Sequence, residues 1–123
     1  MADPQWQFIG EEDTLSKKRC QRLFAESGKD DDIALFYTEG KFYALEAWCQ
    51  HQGGPLFSGD IEDLKGTSIK AVQCPWHGYK FKLEDGENTN IPGLNQKKYD
   101  VKCEEGKVYV DCTHKLSTQE VRS

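Results

Sequence analysis

The sequence predicts an all-β, antiparallel fold, and three observations carry that reading. Apolar residues fall in short runs rich in aromatic and β-branched types, the composition of pleated, half-buried strands. Gly-containing acidic stretches separate the runs, as turns should. Nowhere does a 3.6-residue apolar period persist, so helix is expected to be minor. At 123 residues the chain has room for one domain around a single core. That domain is expected to span residues 5–113, with flexible polar ends at 1–4 and 114–123.

Taken in order, residues 7–10 and 20–25 read as short strands. Residues 33–37 and 42–45 form a hairpin about Thr38-Glu39-Gly40-Lys41. Residues 69–73 and 79–83 are two further strands, the second closed by Glu84-Asp85-Gly86-Glu87. A last hairpin joins residues 99–103 to 108–112 through Glu104-Glu105-Gly106-Lys107. Counting back from that turn sets Cys103 opposite Val108 and not Cys112, so no disulfide is expected there. Cys20, Cys103 and Cys112 are expected to pack as small apolar residues. Trp6, Trp48, Phe36, Phe42 and Tyr43 are expected in the core. Asp30-Asp31-Asp32 reads as a solvated turn whose charge can aid docking, and His114 as a solvated side chain.

No stretch approaches the roughly 18 consecutive apolar residues of a membrane span, and "MADPQWQFIGEED" lacks the layout of a targeting leader. A soluble, cytoplasmic protein is expected. An odd count of five cysteines then points to metal binding or plain burial, not a disulfide framework. A net charge of −5 disfavours nucleic acid and suits a basic protein partner.

The chemistry concentrates in two loops between strands. "CQHQGGPL", residues 49–56, holds Cys49 and His51; "CPWHGYKF", residues 74–81, holds Cys74 and His77; 22 residues separate His51 from Cys74. Thiolate ligands favour zinc, copper(I) or iron–sulfur chemistry. A zinc site tends to group like ligands with at least two residues inside each pair, whereas both pairs here are mixed and the first has a single intervening residue. Mixed pairs suit a two-iron centre with unlike irons, each loop sending its Cys to one iron and its His to the other. Zinc in the same four ligands remains the rival.

These two stretches resemble the ligand loops of Rieske proteins, and "HQGGPLFSGDIEDLKG" running on to "CPWHGYK" is similar to small soluble Rieske domain proteins of animals and to oxygenase-type Rieske ferredoxins. The resemblance implies an antiparallel β sandwich with a loop-built cluster-binding subdomain at one end. It implies one [2Fe–2S] cluster per chain, Cys49 and Cys74 on one iron and His51 and His77 on the other. The stretch between the loops, across residues 57–70, is a few residues longer than the commonest family pattern.

Two departures from the respiratory members inform the potential. Neither loop carries the extra Cys of their disulfide, and Tyr79 and Phe81 stand where they place a Ser and a Tyr that donate hydroxyl hydrogen bonds toward cluster sulfur. Such bonds favour the reduced, more negative cluster, so their loss predicts a potential near the low end of the range, about −150 mV. Under the same resemblance Gly53, Gly54 and Gly78 let backbone approach the cluster, Pro55 and Pro75 stiffen the loops, and Trp76 shields the site from water. "NIPGLNQ", residues 90–96, reads as a third covering loop or an ordinary turn.

The function implied is one-electron shuttling between a flavin or nicotinamide-linked reductase and an oxygenase-type acceptor, by a monomer with no catalytic site of its own. A Rieske oxygenase needs a second iron held by two His and a carboxylate; once His51 and His77 are used only His114 remains. The alternative is a non-redox zinc-binding or redox-sensing interaction module.

Overall fold

The computed structural model describes residues 4–49, 53–64, 68–76, 78–89, 91 and 93–119. Its centre is strand β3, Ile33–Thr38, whose residues Ile33, Ala34, Leu35 and Phe36 are all fully buried. Successive side chains of a strand point to opposite faces, so Ile33 and Leu35 enter one apolar cluster while Ala34 and Phe36 enter another. The core is therefore double, one cluster on each face of the central sheet, where the chain length alone suggested a single one.

Strand β4, Lys41–Glu46, returns from β3 through Glu39 and Gly40, whose φ of 50° and 79° give the left-handed pair of a tight hairpin turn. Outside this hairpin lie β2 (Cys20–Ala25), β8 (Lys98–Tyr99) and β11 (Leu116–Ser117), giving a five-stranded antiparallel sheet ordered β11-β2-β3-β4-β8. One face packs on a three-stranded sheet, β1-β10-β9, formed by Trp6–Glu11, Lys107–Asp111 and Val101–Glu104. Val108 and Val110 of β10 join Leu23, Ile33, Leu35 and Phe42 in the cluster between the two. The other face packs on a smaller sheet, β5-β6-β7, formed by Asp60–Asp63, Lys70–Gln73 and Lys80–Lys82. Ile61, Val72 and Phe81 from these strands meet Phe36 and Leu45 in the second cluster. This is the expected antiparallel β architecture with a subdomain built on one side.

Several local expectations are corrected. Residues 60–63, "DIED", form a strand that acidic composition concealed: Ile61 points inward, Asp63 pairs with Lys70, and Glu62 meets Lys80 at 2.6 Å. A four-residue helix, α1 (Glu12–Leu15), buries Leu15. Leu116, within the segment expected to be flexible, pairs with Ala25 and is buried. Trp6 is exposed on the outer face of its sheet, under the ammonium of Lys102 at 4.7 Å, and is not core. Cys103 does stand opposite Val108, but at the sheet edge it is exposed and not packed. Asp32 is fully buried, unlike its neighbours Asp30 and Asp31 in the 3₁₀ turn Lys29–Asp31.

Candidate metal centre

Each of the two Cys/His stretches is the end of a hairpin. After β4, the Leu56 N–H donates to the Ala47 carbonyl (2.8 Å), Trp48 bridges Pro55, and the Cys49 N–H donates to the Gly54 carbonyl (2.8 Å). Gly53, with φ of 75°, returns its N–H to the Cys49 carbonyl at 2.7 Å. In the second stretch β6 and β7 pair to Gln73 and Lys80, and one further bond runs from the Cys74 N–H to the Tyr79 carbonyl at 2.7 Å. Gly78, with φ of 72°, turns that chain back. Among the described residues, each cysteine thus sits at the end of its hairpin's backbone ladder, which fixes its Cα.

The two hairpins converge at their cysteines. Cys49 and Cys74 are both buried, in one apolar cluster with Leu56, Val72 and Phe81. Burial pushes the Cys74 thiol up to about 11, with Cys49 adding to the rise and the Trp76 N–H opposing it. A thiol in such surroundings ionises when a cation takes it as a ligand.

Glycine is required where the hairpins touch. A Cβ on Gly54 would stand 2.6 Å from the Cys74 sulfur and 3.1 Å from the Trp76 ring. Two buried thiols in one apolar cluster and a cradle that a methyl group would fill together fit a thiolate-held cluster. Trp76 contributes its backbone to this site while its side chain is half exposed, so it shields only in part.

His51 and His77, the other two expected ligands, lie outside the described residues, as do Asn90 and Pro92 of the expected covering loop. Among the described residues no three of His, Cys, Asp and Glu gather as a metal site. His114, read as solvated, is partly buried, with its ring 3.6 Å from Asp31. No helix among the described residues is long and apolar enough to cross a membrane.

Two supports of the first hairpin escaped the sequence reading. Gln96 is buried, and its side-chain amide donates to the Trp48 carbonyl (2.7 Å) and the Glu46 carbonyl (3.2 Å), tying the end of the 90–96 loop to the chain just before Cys49. Asp32 accepts the Ala47 N–H with its own carbonyl at 3.0 Å. The Pro-Gly in "NIPGLNQ" hinted at the first; no local pattern marks the second.

A family model described as a soluble Rieske-type ferredoxin matches residues 7–115. The Rieske domain-containing protein of Homo sapiens is 34% identical over 117 residues, covering 83% of this chain and 71% of that protein. The 3-phenylpropionate/cinnamic acid dioxygenase ferredoxin subunit of Photorhabdus laumondii is 32% identical over 80 residues, covering 64% of this chain and 71% of the subunit. Among solved structures, a chain in the complex of reduced oxygenase and oxidized ferredoxin in carbazole 1,9a-dioxygenase superposes with a TM-score of 0.71 at 24% identity, covering 93% of this chain and 99% of that one. At that identity the likeness is one of fold.

Proposed function

Because this chain belongs to the soluble Rieske-type ferredoxin family, we propose that it is a one-electron carrier holding one [2Fe–2S] cluster, with Cys49 and Cys74 on one iron and His51 and His77 on the other. The observation that carries this reading is the meeting of Cys49 and Cys74, both buried in one apolar cluster at the ends of two separate hairpins. When bound, such a cluster takes up and returns a single electron.

The protein's part is placement and electrostatics. The hairpin ladders fix both sulfur positions, and Leu56, Val72 and Phe81 exclude water behind them. The Trp76 N–H, which opposes the rise of the Cys74 thiol, favours the thiolate and with it the more negative, reduced state. Phe81, fully buried beside both cysteines, offers no hydroxyl to that cluster, which supports a potential near the low end of the Rieske range, about −150 mV. Such a potential suits a carrier between a flavin or nicotinamide-linked reductase and an oxygenase. The dioxygenase ferredoxin subunit named above supports that partner class. Five free cysteines are in keeping with a cytoplasmic protein, working as a monomer.

Electron paramagnetic resonance of anaerobically purified, dithionite-reduced protein tests the reading, together with iron and sulfide analysis. The expected result is a rhombic signal of mixed His/Cys ligation with two irons and two sulfides per chain. A colourless sample with one bound zinc would overturn it.

A further inference from the structure

Beneath the Cys49 hairpin lies a charged pair that electron carriage does not itself require. The Arg22 guanidinium donates from Nε to Asp32 Oδ2 at 2.7 Å, with Nη2 also at 2.6 Å from that oxygen. Asp32 is fully buried, and its other oxygen accepts the Ala25 N–H at 2.7 Å, so the carboxylate cannot swing away. The guanidinium centre lies 5.0 Å from the Trp48 ring, 5.2 Å from the Phe57 ring and 4.5 Å from that of Phe24. Trp48 precedes Cys49 on the outgoing arm; Phe57 follows the returning arm, and the two rings meet edge to face. The Trp48 indole N–H donates to the Lys29 carbonyl at 2.7 Å, and the Asp32 carbonyl holds the Ala47 N–H.

We propose that Arg22 is a positioning residue of the metal centre: locked to Asp32 and wedged against Trp48 and Phe57, it ties both arms of the Cys49 hairpin to strand β2. The proposal rests on the reading of Cys49 as a ligand. A buried ion pair adds little net stability over an apolar replacement of the same volume; what it supplies here is geometry. Only a planar guanidinium presents donors along its edge and flat faces to rings at once, which a lysine ammonium does not.

The test compares Arg22→Lys, the double variant Arg22→Met/Asp32→Asn, and Val108→Ala in the opposite core. The double variant leaves no lone buried charge and keeps an acceptor for the Ala25 N–H. In the protein as purified, alkylation of Cys49 by iodoacetamide is measured against that of Cys112 by mass spectrometry, beside the resonance line shape and the rate of iron loss to a chelator. We expect the Cys49-to-Cys112 ratio to rise on the order of tenfold in the double variant, less in Arg22→Lys, with a broadened signal and faster iron loss. Val108→Ala, which loosens the core that holds Cys112 itself, should not raise the ratio even where it lowers Tm. An unchanged ratio in the double variant overturns the proposal. Should that variant fail to fold, an unchanged ratio in Arg22→Lys does so. A colourless wild type rejects the cluster alone, because the cysteine ratio still reads the brace.

Discussion

Gly54 passes so close to Cys74 that any side chain on it would enter the metal centre, its Cβ falling 2.6 Å from the sulfur. The obstacle is the Cys74 sulfur, fixed by its own hairpin, not the free end of a flexible chain. Gly54→Ala should therefore cost about 1–3 kcal/mol by overpacking and reduce the iron and sulfide retained per chain. Metal analysis and thermal melts check this, and full iron content in the variant would count against the close approach.

Phe81 gives a direct handle on the potential. Its ring is fully buried in the cluster that contains Cys49 and Cys74. Phe81→Tyr adds a hydroxyl there. If it reaches cluster sulfur, the reduced state gains a hydrogen bond and the potential rises; with no partner it costs about 1–3 kcal/mol of stability. We expect an upward shift in a redox titration with the resonance line shape kept. A potential that stays put while stability falls would place the hydroxyl out of reach.

The main hairpins, and the two loops whose cysteines the fold brings into one cluster, are legible because their signals are local. Gly between apolar runs marks the turns, and paired Cys/His spacing marks the loops. What escaped was non-local. Residues 60–63 look like an acidic loop until Lys70 and Lys80 arrive from neighbouring strands to pair with Asp63 and Glu62. Asp32 looks like the third member of a solvated acidic run, and its buried carboxylate finds its partners in Arg22, ten residues back, and the Ala25 N–H. Trp6 reads as a core residue, yet its partner on the open sheet face is the Lys102 ammonium. Leu116 belongs to a polar tail by composition and is drawn in by pairing with Ala25.

Metal-free protein should lose stability in alkali, and the sign follows from the thiol. Cys74 is raised in the fold from the ordinary 9.0 to about 11, so the folded chain holds that proton more tightly than the unfolded one. The resulting stabilisation is complete below pH 9 and is lost as pH climbs to 11. Tyr99, raised by burial from 10.0 to about 12, continues the loss over the next stretch. With metal bound, Cys74 is already a thiolate, so the first part of the loss should shrink. Urea midpoints against pH, with and without metal, read this out. In the metal-free Cys74→Ala variant the midpoint should fall less between pH 9 and 10, the remaining fall coming from Cys20, Cys103 and Cys112, whose thiols burial also pushes up. An equal fall in the variant would assign the loss elsewhere.

Docking should respond to salt. The chain carries a formal net charge of −5, and Asp30 and Glu46 flank Cys49 and Trp76 along one groove beside the site, with Lys29 the single cation there among the described lining residues. A basic partner approaching that groove is steered over about 10 Å at 0.1 M ionic strength and over much less at higher salt. Second-order electron-transfer rates with a basic redox partner should therefore fall as salt is added, while first-order transfer within the formed complex changes little. Asp30→Asn should lower the low-salt rate and flatten the salt dependence, because Asp30 is exposed and its charge adds to the steering field without touching the metal centre. Rates indifferent to both salt and this substitution would mean that shape and apolar contact around Trp76, not charge, bring the partners together.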